Sequence, residues 1–303
     1  MFKENLVVFV KKQTDRIEID SIINAFDINR VFVFFSETSD RISLEDIKKW
    51  DIVKDETDIF SINLSSISLA EFVKTIKNLN SKYIALPIGH HKLFYWTFLF
   101  LNKRRYLRIQ ISDGFIDAYP LFESILGARF RNFFGLLKSF IMFPVLYFAK
   151  ADLCFFQLYP LKSCYSKSTL PIIDVVNKMN LNVEESISNL IIPSSSISIN
   201  KIIEVFGEMD YISTSKHKEI NISGKVNSLD TFITAEDVIN NYQGLEKIIS
   251  TLSTVVIYSA IKRPDLEVVC CLDGTMNKIY GKTYEYSFQK LCKTINVKVI
   301  RLN

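Results

Sequence analysis

The sequence predicts an α/β chain made of two Rossmann-like halves. Three observations carry that expectation. Short runs rich in Val, Ile and Phe alternate with segments of helical spacing from one end to the other, the pattern of parallel sheets with crossover helices. The alternation breaks near residues 158–169, where Pro160, Lys162, Ser163, Ser166, Lys167 and Ser168 cluster, and then resumes. A length of 303 residues, with 48% hydrophobic residues and 24 Phe, suits one large or two ordinary domains with substantial cores. The domains are therefore expected at residues 1–165 and 166–303.

In the first half, β-rich runs place strands at residues 6–10, 30–35, 59–63, 83–87 and 106–111. Helical spacing falls between them at 20–26, 44–49 and 68–79, the last opened by Ser68 as an N-cap before Leu69, Ala70 and Glu71. A long helical region follows over roughly residues 119–150. In the second half, residues 189–192 read as a strand, 193–196 as a loop, 199–206 as a helix and 211–214 as a strand. Residues 235–240, 247–250, 255–261, 267–272, 284–291 and 297–302 then continue as helix, strand, helix, strand, helix and strand. No short-period repeat is present.

Composition narrows the function. Abundant aromatic and β-branched residues exclude low-complexity disorder. A net charge of +4, from 37 Lys+Arg against 33 Asp+Glu, is too small to point to nucleic acid as a partner. The five cysteines form no CxxC pair, and with only three histidines no zinc-ligand spacing appears, so free thiols in a reducing compartment are expected. The first apolar run is too short for a signal peptide and reads as a strand, which predicts a cytoplasmic protein. The apolar stretch 133–149 is interrupted by Lys138 and Pro144, so a buried or interfacial helix is expected rather than a span.

Ligands of open α/β sheets bind beyond the carboxyl ends of the strands, and that rule selects a few polar residues. Asp113 follows a strand directly, and Gly114 allows a sharp turn that would present the carboxylate; the same pair also suits a plain turn. His217, between Lys216 and Lys218 after a second-half strand, suits a phosphate, although a lone His is more often structural. Ser250, Thr251, Ser253 and Thr254 run from a strand into a helix, where hydroxyls and N–H groups converge on the positive end of the helix dipole. Ordinary capping by Ser253 would produce the same pattern. Neither GxGxxG nor GxxxxGK[ST] occurs, which removes the usual signs of dinucleotide redox chemistry and P-loop phosphoryl transfer.

In order and placement, Asp113-Gly114, the Lys216-His217-Lys218 segment, Thr234 to Asp237 and Ser250 to Thr254 resemble the bacterial sialyltransferases. The pattern is similar to the lipooligosaccharide sialyltransferases of glycosyltransferase family 52 and to the related capsule polysialyltransferases. It is best over residues 211–272, with a second patch around 108–119. The resemblance implies a GT-B fold, two Rossmann-like domains facing each other across a cleft, with the CMP-sugar donor held mainly by the C-terminal half and the acceptor by the N-terminal half. It gives His217 the contact with the donor phosphate, with Lys216 and Lys218 adding charge beside it. Ser253 and Thr254 fall on a phosphate-holding pair, and Glu236 on an acidic residue near ribose and cytosine. Asp113 falls in an acidic-acidic-Gly motif whose carboxylate deprotonates the acceptor hydroxyl. Ser112 stands where that motif has its first acidic residue, leaving Asp113 or Asp117 as the base, and Lys218 stands where Pro normally follows the His.

The expected reaction is transfer of sialic acid or a related nonulosonate from a CMP donor to a lipooligosaccharide or capsule hydroxyl, with inversion. CMP is a good leaving group, so neither a metal nor a tightly bound cofactor is expected. The cationic cluster would stabilise the departing phosphate while a carboxylate activates the acceptor. Residues 89–105 mix aromatic and basic side chains and read either as a packed helix with a solvated basic end or as an acceptor-binding surface. With Arg129, Arg131 and Lys138 near the apolar stretch, they also suit peripheral contact with the inner membrane and a glycolipid acceptor. The rival readings are a transferase of the same fold that uses another CMP-linked sugar such as Kdo, and a non-catalytic nucleotide-sugar-binding assembly protein.

Overall fold

The computed structural model describes residues 3–28, 30–35, 42–50, 57–61, 68–87, 99, 101–102, 105–112, 114–118, 150–173, 181, 183, 187–192, 196–207, 210–213, 226–228, 233–272 and 282–302. The chain forms two compact units, residues 1–125 with 131–175 and residues 126–130 with 176–303. The long helical region expected over 119–150 lies outside the described residues apart from Lys150.

The first unit is a seven-stranded parallel sheet in the order β3-β2-β1-β4-β5-β6-β7. Its strands are β1 Lys3–Phe9, β2 Arg30–Phe35, β3 Thr57–Ser61, β4 Ser81–Pro87, β5 Leu107–Ile111, β6 Ala151–Phe156 and β7 Ser166–Pro171. The helices between them are α1 Asp15–Ala25, α2 Leu44–Lys48, α3 Leu69–Leu79 and the single turn α4 Phe115–Ala118. Both faces of the sheet are covered, and the two-residue period of the strands sorts the side chains. Leu6, Val8, Val31, Val33, Tyr83 and Ala85 pack toward Ile19 and Ile22 of α1. Val7, Phe9, Phe32, Phe34, Ile84 and Leu86 pack toward Phe72 and Ile76 of α3. Phe9 stacks on Phe34 with ring centroids 5.0 Å apart and meets Phe72 at 5.6 Å.

Sequence punctuation fixes where the helices start. Ser68 caps α3 in a reciprocal capping box with Glu71, as expected from the sequence, and Ser43 does the same for α2 with Asp46. Asn80 ends α3 in the left-handed conformation, φ 48°, that Asn adopts more readily than most residues.

The second unit is a six-stranded parallel sheet in the order β10-β9-β8-β11-β12-β13. The strands are β8 Asn189–Ile192, β9 Tyr211–Ser213, β10 Val226–Ser228, β11 Lys247–Thr251, β12 Glu267–Leu272 and β13 Lys298–Arg301. Its helices are α5 Ser196–Phe206, α6 Ala235–Asn241, α7 Thr254–Lys262 and α8 Lys282–Thr294. Ile191, Ile249, Val269 and Cys271 bury one face of this sheet against Ile202 and the half-buried Ile203 and Phe206 of α5.

Counted from its own first strand, each sheet runs 3-2-1-4-5-6, the doubly wound order, and the first adds one strand at its far edge. The expected pair of Rossmann-like halves is therefore present. The boundary expected at 165/166 is corrected: β7 pairs in register with β6, Ala151 with Ser166 through Phe156 with Pro171, and belongs to the first sheet. The Pro- and Ser-rich segment is a connection inside that unit, with Leu158, Ser163 and Tyr165 buried. It reads as a linker because β7 is an edge strand, where polar residues and a terminal Pro are tolerated.

Candidate functional site

In each unit the strand order reverses beside the first strand, between β1 and β4 and between β8 and β11. The crevice beyond the carboxyl ends at such a reversal is where open α/β sheets bind ligands. Both places hold buried polar groups.

In the first unit, β1 runs into a tight turn whose Asp15 carboxylate accepts hydrogen bonds from the Lys11 and Lys12 amides, at 2.7 and 3.2 Å. That turn starts α1 earlier than the sequence suggests, and the first turns of α1 bring Glu18 under the end of β5. There Glu18 meets Ser112. Its Oε2 accepts the Ser112 amide at 2.7 Å, and its Oε1 is hydrogen-bonded to the Ser112 hydroxyl. The Ser112 carbonyl accepts from Lys12 Nζ at 3.1 Å. Glu18 is 1% exposed and Ser112 2%. Burial pushes the Glu18 carboxyl well above the usual carboxylate range, and the Ser112 hydrogen bonds and the Lys12 charge oppose it without winning.

Gly114 follows at φ 86°, a left-handed conformation that a side chain would strain, and its carbonyl accepts the Asp117 amide at 3.0 Å. Asp117, in α4, is buried, and its Oδ2 accepts from Gln110 Nε2 at 2.9 Å. The Gln110 Oε1 in turn accepts from Ser163 Oγ at 2.6 Å. Cys154 of β6 lies close enough to Glu18 and Asp117 for their charges to add to burial in raising its thiol far above its ordinary value.

In the second unit, Ser250 Oγ donates to the Ile192 carbonyl at 2.9 Å and ties together the ends of the two strands that flank the reversal. Thr251, the last residue of β11, is 1% exposed, and its hydroxyl has no hydrogen-bond partner among the described residues. Ser253 caps α7 by accepting the Val255 amide at 3.4 Å, a long bond for a cap, and Thr254 opens the helix. Glu236 is buried in the first turn of α6, behind the capping box of Thr234 and Asp237. The helix α6 meets α7 through a hydrogen bond between Asn240 Nδ2 and the Tyr258 hydroxyl at 2.9 Å.

Of the residues singled out in the sequence, the structure brings Ser253 and Thr254 to the reversal point of the second unit and sets Asp117 against Gln110 of β5 in the first, while Glu236 lies in α6. Asp113, Lys216, His217 and Lys218 lie outside the described residues. Glu18, Gln110 and Ser163 are additions that sequence reading missed, while Thr251, already part of the hydroxyl run, proves to be buried with no hydrogen-bond partner among the described residues. Glu18 was hidden because Ile17 and Ile19 alternate with Glu18 and Asp20 in the manner of a strand. Among the described residues no cluster of His, Cys, Asp and Glu could hold a metal, and no helix is long and apolar enough to cross a membrane.

No family model matches the chain, and no curated protein matches it in sequence. Among solved structures it is similar to Acinetobacter baumannii MurG, with a TM-score of 0.50 and 8% identity over 99% of this chain and 86% of that one. A Listeria monocytogenes structure assigned as a UDP-N-acetylglucosamine 2-epimerase gives a TM-score of 0.53 and 9% identity, over 97% of this chain and 87% of that one. At such identities the likeness concerns fold alone. The chain has an α/β fold of the GT-B kind found in glycosyltransferase structures such as MurG and in the epimerases.

Proposed function

We propose that the protein is a glycosyltransferase that moves sialic acid or a related nonulosonate from a CMP-linked donor to a hydroxyl of a bacterial surface glycan. The observation that carries this reading is the end of β11. There the buried Thr251 hydroxyl has no partner among the described residues, beside Ser253 and Thr254 at the start of α7 and at a strand-order reversal. A buried hydroxyl without a partner costs about 1–3 kcal/mol, and a phosphate oxygen arriving at a helix N-terminus would satisfy it.

In this reading α7 receives the donor phosphate. Thr251, Ser253 and Thr254 offer hydroxyls, and Lys216, His217 and Lys218 offer positive charge as the leaving CMP gathers negative charge. Glu236 takes the ribose and cytosine side. In the first unit Asp113 accepts the proton of the attacking hydroxyl, because the other candidate, Asp117, is buried and committed to Gln110. Displacement on the anomeric carbon by that hydroxyl forms the glycosidic C–O bond, breaks the bond to CMP and inverts the centre. The aromatic and basic segment 89–105 serves the acceptor at the inner membrane surface.

A second reading replaces the CMP donor with a UDP-linked sugar. The name of the Listeria structure favours it. A thermal-shift panel with CMP, CDP, UDP and GDP separates the two, since a ligand of the folded state at about a hundredfold over Kd stabilises by about 2.7 kcal/mol. A shift with CMP supports the proposal. A shift with UDP or GDP alone discards the CMP donor, and no shift with any of them removes the transferase reading.

A further inference from the structure

We propose that Tyr258 and Arg263 of α7 brace α6 and so set the spacing between Glu236 and the phosphate end of the nucleotide site, which makes them positioning residues for a nucleoside monophosphate. The inference rests on the reading that puts a nucleotide phosphate at the start of α7 and its nucleoside beside Glu236.

The six strands of the second sheet are parallel, so α6, which leads into β11, and α7, which leaves it, both run back against the strands. Their first turns therefore share the carboxyl edge, where Thr251 keeps a buried hydroxyl with no hydrogen-bond partner among the described residues. To that edge α7 contributes Ser253 and Thr254, and α6 contributes the buried Glu236. With seven residues, α6 is about 10 Å long and too short to be stable without tertiary contacts.

Two polar ties from α7 supply such contacts, and both fall on the second half of α6. The Tyr258 hydroxyl accepts from Asn240 Nδ2 at 2.9 Å and donates to Asn240 Oδ1 at 3.1 Å, from a ring that is 1% exposed. Arg263, the C-cap of α7, donates from Nη1 to the Ile239 carbonyl at 3.1 Å. That carbonyl lies in the last turn of α6, where helix carbonyls lack partners within the helix and a cation is favoured. No residue of that turn is basic, so the charge comes from α7. Asp265 aims the guanidinium by accepting from Nε at 3.0 Å and Nη2 at 2.8 Å. Val238 and Ile239 are also buried, but apolar contact is non-directional, whereas two hydrogen bonds fix how α6 is turned and where its far end, with Glu236, comes to lie.

A nucleoside monophosphate meets both parts of such a site at once, and inorganic phosphate meets one. Loosening α6 therefore takes a preorganised second contact from the larger ligand and leaves the smaller one as it was. A tie that served stability alone would not separate the two ligands.

The test measures equilibrium binding of CMP and of inorganic phosphate to the full chain, unaltered and carrying Tyr258→Phe, Arg263→Met, both together, or Asp265→Ala. In the double variant we expect the preference for CMP over phosphate to fall by about tenfold while the phosphate Kd stays within about twofold. Each single change should give a smaller fall. Tyr258→Phe keeps the buried ring, and Asp265→Ala alters a carboxylate that is 59% exposed, so the test does not depend on the double variant folding. An unchanged preference in folded Tyr258→Phe and Arg263→Met proteins overturns the brace, as does equal weakening of both ligands. If the unaltered chain holds CMP no more tightly than phosphate and UMP no better, the nucleotide reading falls and the brace with it. If it selects UMP, the CMP assignment falls, and the same loss of preference measured with UMP keeps the brace.

Discussion

The two ends of the first sheet solve the problem of buried charge in opposite ways. At the amino ends of β5, β6 and β7, the guanidinium of Arg108 is 0% exposed and makes two hydrogen bonds to Asp152, at 2.9 and 2.7 Å. Lys167 adds a third cationic contact to the same carboxylate at 2.6 Å. Burial would push Asp152 up, but these hydrogen bonds win and hold it at about 2. At the carboxyl end the Lys12 charge opposes the burial of Glu18, and burial wins. One end pairs a buried guanidinium with a carboxylate held in its charged form. The other holds a buried carboxyl, Glu18, whose pKa burial raises above the ordinary range. The contrast teaches where this unit invests in stability and where it places a group whose protonation state is free to matter.

The largest expected effect breaks the amino-end cluster. Arg108→Met removes a fully buried partner and should cost about 3–5 kcal/mol of unfolding free energy, measured by urea denaturation, with no selective loss of CMP binding. A cost below about 1 kcal/mol would mean that the cluster is not the structural counterpart proposed. Next comes the base. Asp113→Asn should lower transfer by about 10²- to 10⁴-fold while the CMP-induced thermal shift persists. Asp117→Ala should act mainly on stability, through the lost Gln110 contact.

The pH dependences of the two ends should run in opposite directions. The folded-state value of Asp152 lies below its unfolded one, so its contribution is present above about pH 4 and disappears as pH falls toward about 2. Arg108→Met should flatten that acid limb. The folded-state value of Glu18 is raised, so the folded chain holds a proton that the unfolded chain has lost, and stability declines as pH rises above the ordinary carboxylate value. Glu18→Gln removes that decline, and its melting temperature should gain on the unaltered protein as pH increases from 4 toward neutrality. A constant difference across that range would contradict the raised Glu18 value. The smallest effect is at the second sheet. Thr251→Val replaces an unsatisfied hydroxyl with a methyl of the same shape and should raise stability by about 1 kcal/mol while weakening CMP. Equal or tighter CMP binding in that variant would remove Thr251 from the phosphate site.

Much of this frame was legible in the sequence, for identifiable reasons. The strands at 30–35, 189–192 and 267–272 appear with the expected bounds because they are short β-rich runs bounded by turns. The strands β6 and β7 were missed for different reasons. Asp152 interrupts the apolar run of β6 because it is there to meet Arg108, and β7 has the polar composition of a sheet edge. The candidate site was legible only where chemistry followed a strand directly, as with Ser253 and Thr254. Glu18 and Ser112 are separated by 94 positions, and no local pattern announces a hydrogen bond closed by tertiary packing. Asp113 was singled out from the glycine that follows it, whereas the contact of Glu18 with Ser112 needed the fold.

The most direct test of the central claim is a donor-exchange assay with purified full-length protein, following release of nucleotide from CMP-sialic acid and from UDP-N-acetylglucosamine in the presence of a lipooligosaccharide acceptor. We expect acceptor-dependent release of CMP, little or no release of UDP, and loss of CMP release in His217→Ala. Acceptor-dependent release of UDP with none of CMP, or CMP release untouched by His217→Ala, would contradict it.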